Sequence, residues 1–290
     1  MRFKNFRVRH VLFVALIVPF GGLIGCLELE DIILDPVREL SETPAIYSLP
    51  YETVELRVQE ERTIVLWHVR AELSEGLVLV VPGSDENKSA YLPVLSVFVP
   101  NGYDVVLMDY AGFGDSTGEA QLSNFVADAR AALRYAQSQN TNVILMGASL
   151  GTPVAVRLAA ETQVNALILE GTVVLDDQVA VWLNEHGYGN RVLIEILEAM
   201  TADKIPPDYD ILRYIREVNT RILFLHSKQD EVTPYENARR VYRTASQPVD
   251  FRDLDYKHGQ MIKRDHDRYI AMILSWLRKD ARVAAQLESF

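Results

Sequence analysis

Five short apolar runs, Leu77–Val81, Asp104–Met108, Val143–Met146, Ala166–Leu169 and Ile222–Leu225, recur along the chain with helical patterns between them. Runs of this length, bounded by turn residues and apolar on both faces, are what a parallel sheet covered on both sides requires. Parallel neighbours need crossover connections, and those crossovers are right-handed, so strands alternating with helices predict a doubly wound sheet. Thr53–Val58 and Thr63–Val69 add two β-branched strands around the charged turn Gln59–Arg62. Pro248–Leu254 is more polar, as an edge strand would be. Among the helices, Val126, Ala129, Leu133 and Ala136 share one face, with Ser123 or Asn124 as the expected N-cap. A second helix follows Gly151, with Pro153 in its first turn. A third is expected over Tyr235–Ala245. Tyr269, Met272, Ile273, Trp276 and Leu277 repeat at helical spacing near the end. In such folds ligands meet the loops at the carboxyl ends of the strands.

The third run leads into Gly147-Ala148-Ser149-Leu150-Gly151. A serine in a G-x-S-x-G sequence between strand and helix sits on a strained turn that exposes its hydroxyl. A hydroxyl is a weak nucleophile without a base, and the base should be a histidine held by a carboxylate. Of the six histidines, His258 follows the last strand in the loop Tyr256-Lys257-His258-Gly259 and is the best placed. His10 lies in the leader, His68 in an early strand and His186 between strands. His226 ends a strand and is expected to be packed, and His266 sits in a charged helix start and is expected to be solvated. The carboxylate is assigned to Asp230, with Glu231 as the fallback, while Asp253 and Asp255 read as structural. The chain order Ser…Asp…His is then that of α/β-hydrolases. Backbone donors for a tetrahedral oxyanion are expected at Leu150 N–H and at Ser84 N–H, with Asp85 second, in the loop Pro82-Gly83-Ser84-Asp85.

Across about residues 53–280 the chain resembles an α/β-hydrolase, most closely the branch of serine aminopeptidase-like and monoacylglycerol-lipase-like enzymes. The residues that carry the resemblance are Pro82-Gly83-Ser84, Asp109-Tyr110-Ala111-Gly112-Phe113-Gly114-Asp115-Ser116, Gly147–Gly151, Asp230-Glu231-Val232-Thr233-Pro234 and His258-Gly259. The second of these matches the D-x-x-G-x-G-x-S loop of that branch, whose glycines let it fold under the site. Where the branch usually has His-Gly, this chain has Pro82-Gly83. The insert at about 173–215, before the penultimate strand, resembles a helical cap; Trp182, Leu183, Tyr188, Leu193, Ile196, Leu197 and Met200 either line an acyl pocket or pack the cap down.

The amino terminus has a different logic. Residues 1–10 are basic and polar, and Val11 to Ile24 is apolar but shorter than the ~20 residues a bilayer span needs. This is the layout of a secretory signal. It ends in Leu23-Ile24-Gly25-Cys26, which resembles the lipobox of bacterial lipoproteins and places the only cysteine where a diacylglyceryl anchor would be attached. The division expected is therefore a signal over 1–25, a lipidated Cys26 and lead-in over 26–50, and a hydrolase domain over 51–290. That implies a cell-envelope protein facing the periplasm or exterior. An uncleaved anchor helix and a freely secreted product are the alternatives. The 29 basic and 40 acidic residues give a net charge of −11, with four basic and no acidic residues in the first 25. A body that acidic repels phosphate and argues against a nucleic-acid partner.

Gly112-Phe113-Gly114-Asp115-Ser116-Thr117 lacks the third glycine of a dinucleotide loop. Gly83 to Ser89 lacks the second glycine of a phosphate loop. No histidine, cysteine and carboxylate spacing suggests zinc, and no cofactor is expected. The function expected is hydrolysis of a small or lipid-like carboxylic ester or thioester through an acyl-enzyme. A serine peptidase and a non-catalytic envelope-binding module on the same scaffold are the alternatives.

Overall fold

The computed structural model describes residues 30, 33–177, 181, 205–247 and 249–287. The leader with His10 and Cys26, the cap residues Trp182 to Met200 with His186, and Pro248 lie outside the described residues.

Eight strands form one sheet: β1 (Tyr51–Gln59), β2 (Arg62–Val69), β3 (Gly76–Val81), β4 (Tyr103–Met108), β5 (Val143–Ala148), β6 (Ala166–Glu170), β7 (Ile222–Ser227) and β8 (Val249–Leu254). Their order is β1-β2-β4-β3-β5-β6-β7-β8. β1 and β2 pair antiparallel, as do β2 and β4, and every later pairing is parallel. β8 is the edge strand its polarity foretold. The helices that cover the sheet are α1 (Pro93–Phe98), α2 (Leu122–Gln139), α3 (Gly151–Glu161), α4 (Tyr235–Thr244) and α5 (His266–Leu287).

The two-residue side-chain period of a strand sorts the core into two layers. Leu77, Leu79 and Val81 of β3 join Phe125, Ala129 and Leu133 of α2 and Val154 and Leu158 of α3. Val78 and Val80 face the other way, onto Leu95 and Phe98 of α1 and Tyr269, Ile273, Trp276 and Leu277 of α5. Because both faces are covered, the central strands carry uninterrupted apolar stretches, such as Leu77–Val81 in β3 and Val105–Met108 in β4, and this is what made the strands visible in the sequence.

Some expectations shift. α2 begins at Leu122 with Gln121 before it and has no side-chain cap, so neither Ser123 nor Asn124 is the N-cap. Leu122 is fully buried, and its packing draws the helix start forward; the Asn124 amide reaches back to Glu119 O and Gln121 Oε1 instead. His266 is not simply solvated: its Nε2 lies 2.7 Å from Ser96 Oγ on α1. β5, β6 and β7 run one or two residues past their apolar runs, because the ladder continues through Ala148↔Glu170 and Ser227↔Leu254. Those extra residues carry the site.

The loop after β4 is pinned from two sides. Lys88 is fully buried, and both its backbone N–H and its Nζ donate to Asp109, with Asp115 Oδ2 3.0 Å from Nζ. Gly112 and Gly114 hold positive φ (85° and 46°), and a Cβ on Gly114 would collide with the Asp109 carboxylate. Ser116 Oγ accepts from Val65 N–H and donates to Asp109 O. Asp128 of α2 accepts from Ala111 N–H and pairs with Arg62 at 3.2 Å. Burial pushes the Asp128 carboxyl up to about 6, against the pull of the Ala111 N–H and Arg62. A carboxyl raised in the folded state takes up its proton there before the unfolded chain does. Its contribution to stability is therefore greatest below pH ~4 and declines as pH rises through 6. Thermal midpoints of the wild type and Asp128→Asn, compared at pH 4.5 and 7.5, should show the wild type losing ground to the variant at the higher pH.

Candidate active site

Ser149 follows β5 with φ 50°, and Ser48 is the only other non-glycine residue with positive φ among those described. Such a conformation costs about 1–3 kcal/mol and persists only where its surroundings enforce it. Here Ser149 N–H donates to Glu170 O at 2.9 Å. Its carbonyl accepts from Thr152 N–H (2.8 Å) and Thr152 Oγ1 (2.7 Å). The flanking glycines have no room for a side chain. A Cβ on Gly147 would lie 2.6 Å from Gly151 O, and one on Gly151 would strike the carbonyl oxygens of Val81 and Pro82.

The loop after β3 closes over this turn. A Cβ placed on Gly83 would come within 3.2 Å of Ser149 Cβ. Gly83 N–H donates to Tyr91 Oη at 2.9 Å, and Ser84 O accepts from Asp35 N–H at 3.0 Å. The two donors expected from sequence, Leu150 N–H and Ser84 N–H, have no acceptor among the described residues. Tyr91→Phe would leave the Gly83 donor without its acceptor, a loss of about 1–3 kcal/mol for a buried group. About a tenfold fall in kcat is expected, measured by steady-state ester hydrolysis.

On the neighbouring loops, His258 Nδ1 lies 2.7 Å from Asp230 Oδ2. The Asp230 carboxylate is nearly inaccessible, at 2% exposure, and is filled by donors. Oδ1 takes Val232 N–H and Thr233 N–H, and Oδ2 takes Thr233 Oγ1. Burial alone would raise the Asp230 pKa, but the hydrogen bond and charge of His258, with the Thr233 donors, hold it below the usual carboxylate range. Burial likewise opposes the imidazolium of His258. The hydrogen bond and charge of Asp230 outweigh it, aided by Glu170 and Asp85, and the pKa is raised above the ordinary 6.5. The fallback Glu231 is 70% exposed and pairs with Lys257 at the surface.

Glu170 and Gly171 stand between the serine and the imidazole. Glu170 O holds Ser149 N–H, and a Cβ on Gly171 (φ 62°) would lie 2.7 Å from His258 Cε1. The Ser149 hydroxyl itself makes no hydrogen bond to the ring, and His258 Nε2 has no partner among the described residues. The structure thus joins Asp230 to His258 directly and brings Ser149 to the other side of one peptide. Tyr269 Oη donates to Glu170 Oε2 at 2.6 Å.

His226 is buried, as expected. Its Nδ1 accepts from Thr172 N–H and its Nε2 lies 3.0 Å from Thr233 O, so it ties the β6 loop to the Asp230 loop. Asp253 and Asp255 serve Tyr235 and Gln229. The sequence assigns no role to Tyr91 or Glu170, and Thr233 enters there only as part of the Asp230–Pro234 motif. Only Thr233 left a signal, since Asp-x-x-Thr before a helix is a local capping spacing. No group of three or more metal-ligating side chains occurs among the described residues, and no helix among them is long and apolar enough to cross a membrane.

Residues 73–209 match the family profile described as serine aminopeptidase, S33. The chain is 26% identical over 208 residues to protein bem46 of Schizosaccharomyces pombe, covering 68% of this chain and 66% of that protein. It is 29% identical over 207 residues to the lysophosphatidylserine lipase ABHD12 of Macaca fascicularis, covering 62% of this chain and 49% of the lipase. The matches thus span between about half and two thirds of these relatives. An esterase structure from Pyrococcus furiosus superposes with a TM-score of 0.72 at 16% identity, covering 85% of this chain and 97% of the esterase. The fold is that of the α/β-hydrolases, and these similarities support a hydrolase.

Proposed function

We propose that this α/β-hydrolase-fold chain is a serine hydrolase that cleaves a carboxylic ester or thioester through an acyl-enzyme. The observation that carries the reading is the 2.7 Å contact between His258 Nδ1 and Asp230, one peptide away from a serine held at positive φ. With Nδ1–H committed to the carboxylate, Nε2 is left as the base. Ser149 Oγ attacks the substrate carbonyl and gives its proton to Nε2, while Asp230 stabilises the imidazolium. The oxyanion is received by Leu150 N–H and Ser84 N–H. His258 then protonates the departing alcohol or thiol. Water, deprotonated by the same nitrogen, releases the acid and frees Ser149.

The relative named as a lysophosphatidylserine lipase supports a lipid-like acyl substrate, as do the apolar side chains of the 173–215 insert, read as a cap over the serine. The lipobox-like sequence ending at Cys26 supports an envelope protein tethered by a diacylglyceryl group, with 1–25 removed as a signal and the hydrolase domain beginning near residue 51. A Cys26→Ala variant should leave the membrane fraction; full retention there would reject the anchor.

The test of the chemistry is a series of p-nitrophenyl esters of rising chain length. Turnover that peaks at a defined length is the expected result, and no hydrolysis of any member would reject the reading. The acid limb of kcat/KM should have its midpoint above 6.5, because the base works only when neutral and its pKa is raised. Glu170→Gln removes one of the charges that raise it and should move that midpoint to lower pH.

A further inference from the structure

The lead-in ahead of β1 binds the loop that carries Ser84. Asp35 N–H donates to Ser84 O at 3.0 Å. Asn87 Nδ2 donates to both Val37 O (3.1 Å) and Glu39 O (2.9 Å), and its Oδ1 accepts from Ser89 N–H and Ser89 Oγ. Ser41 N–H and Ser41 Oγ each lie 3.0 Å from Ser89 Oγ. On the other side, Gly114 N–H donates to Val37 O, and Arg38 reaches the carbonyls of Ser116 and Gly118. Leu34, just before this stretch, is buried in the core, and Asn87 is 2% exposed.

Residues 84–87 lie between β3 and the short turn Lys88–Tyr91 and belong to no strand or helix. No ladder fixes their peptides, so the orientation of the Ser84 N–H depends on whatever holds the peptides around it. The Ser84 carbonyl is held by the lead-in and not by the sheet.

We propose that residues 35–41 are a positioning strap for the oxyanion hole, acting through the Ser84 carbonyl and Asn87. The inference rests on the serine hydrolase reading and deepens it. A preorganised donor contributes because it does not have to reorient as charge develops, and a lost oxyanion donor costs about 10²–10³ in kcat. Loosening such a donor costs a part of that. The strap acts on the transition state and not on substrate binding, so kcat falls and KM stays.

Asp35→Pro deletes the N–H that holds Ser84 and leaves every residue of the oxyanion loop unchanged; Asp35 is exposed and already precedes Pro36. About a tenfold drop in kcat is expected, with KM within about twofold. Affinity for an aryl trifluoromethyl ketone, whose adduct places an oxyanion in the same hole, should fall by the same factor. Asp35→Ala keeps the N–H and should recover both values. Asn87→Ala cuts the strap from the loop side and should reproduce the proline variant. Wild-type kcat and ketone affinity in folded Asp35→Pro or folded Asn87→Ala, or a kcat loss in them with ketone affinity intact, would overturn the strap. Failure of the wild type itself to turn over esters or bind the ketone would count instead against the serine hydrolase.

Discussion

Ser149→Ala is expected to reduce ester turnover by about 10⁵–10⁶, the scale seen when the nucleophile of a serine hydrolase is removed. The substitution deletes one oxygen whose hydroxyl makes no hydrogen bond to the described residues, so the fold should survive it. The strained backbone is enforced by the Glu170 carbonyl and by Thr152, neither of which needs the side chain. The thermal midpoint should therefore change little while activity disappears. Asp230→Asn is expected to cost about 10⁴ by comparison. It keeps the shape but removes the charge that steadies the imidazolium and places an amide where Thr233 Oγ1 and His258 both donate. Residual turnover in Ser149→Ala above a few per cent, from protein free of wild type, would mean that another group performs the attack.

Lys88→Met should give the largest stability loss. The Lys88 ammonium is fully buried against Asp109, near Asp115 Oδ2 and 4.7 Å from the centre of the Trp67 ring. Burial raises the Asp109 pKa, and Lys88 is the main influence pulling it back. Without the ammonium, Asp109 is an uncompensated buried carboxylate, a defect of about 3–5 kcal/mol. Urea denaturation should show that loss as a lower midpoint at unchanged slope. Lys88→Met combined with Asp109→Asn should recover much of it, since the pair is coupled. A single variant as stable as wild type would show that the pair does not hold the loop.

The order of strands and helices was readable because burial on both faces leaves an uninterrupted apolar run, as in Leu77–Val81. The last helix was readable from Tyr269, Ile273, Trp276 and Leu277, all of which are buried. Strand ends were less so: Gly147, Glu170 and Ser227 extend the ladder with residues that carry no apolar signal, and these are the positions nearest the chemistry. Ser149, Asp230 and His258 stood out because each follows a strand within a short motif. Tyr91, Lys88 and Asn87 did not, because their partners lie across loops. Gly83 is 8 residues from Tyr91, Asp109 is 21 from Lys88, and Glu39 is 48 from Asn87. Contacts of that kind have no periodicity, so they are visible only once the sheet has brought β3, β4 and the lead-in together.

The most direct measurement is to treat the protein with a fluorophosphonate, digest it and locate the phosphonyl group by mass spectrometry. One adduct on Ser149 is expected, formed at a rate that rises with pH through a midpoint above 6.5 and falls sharply in His258→Ala. An adduct on any other residue, or a Ser149 that stays unmodified under conditions that label a known serine esterase, would contradict the account.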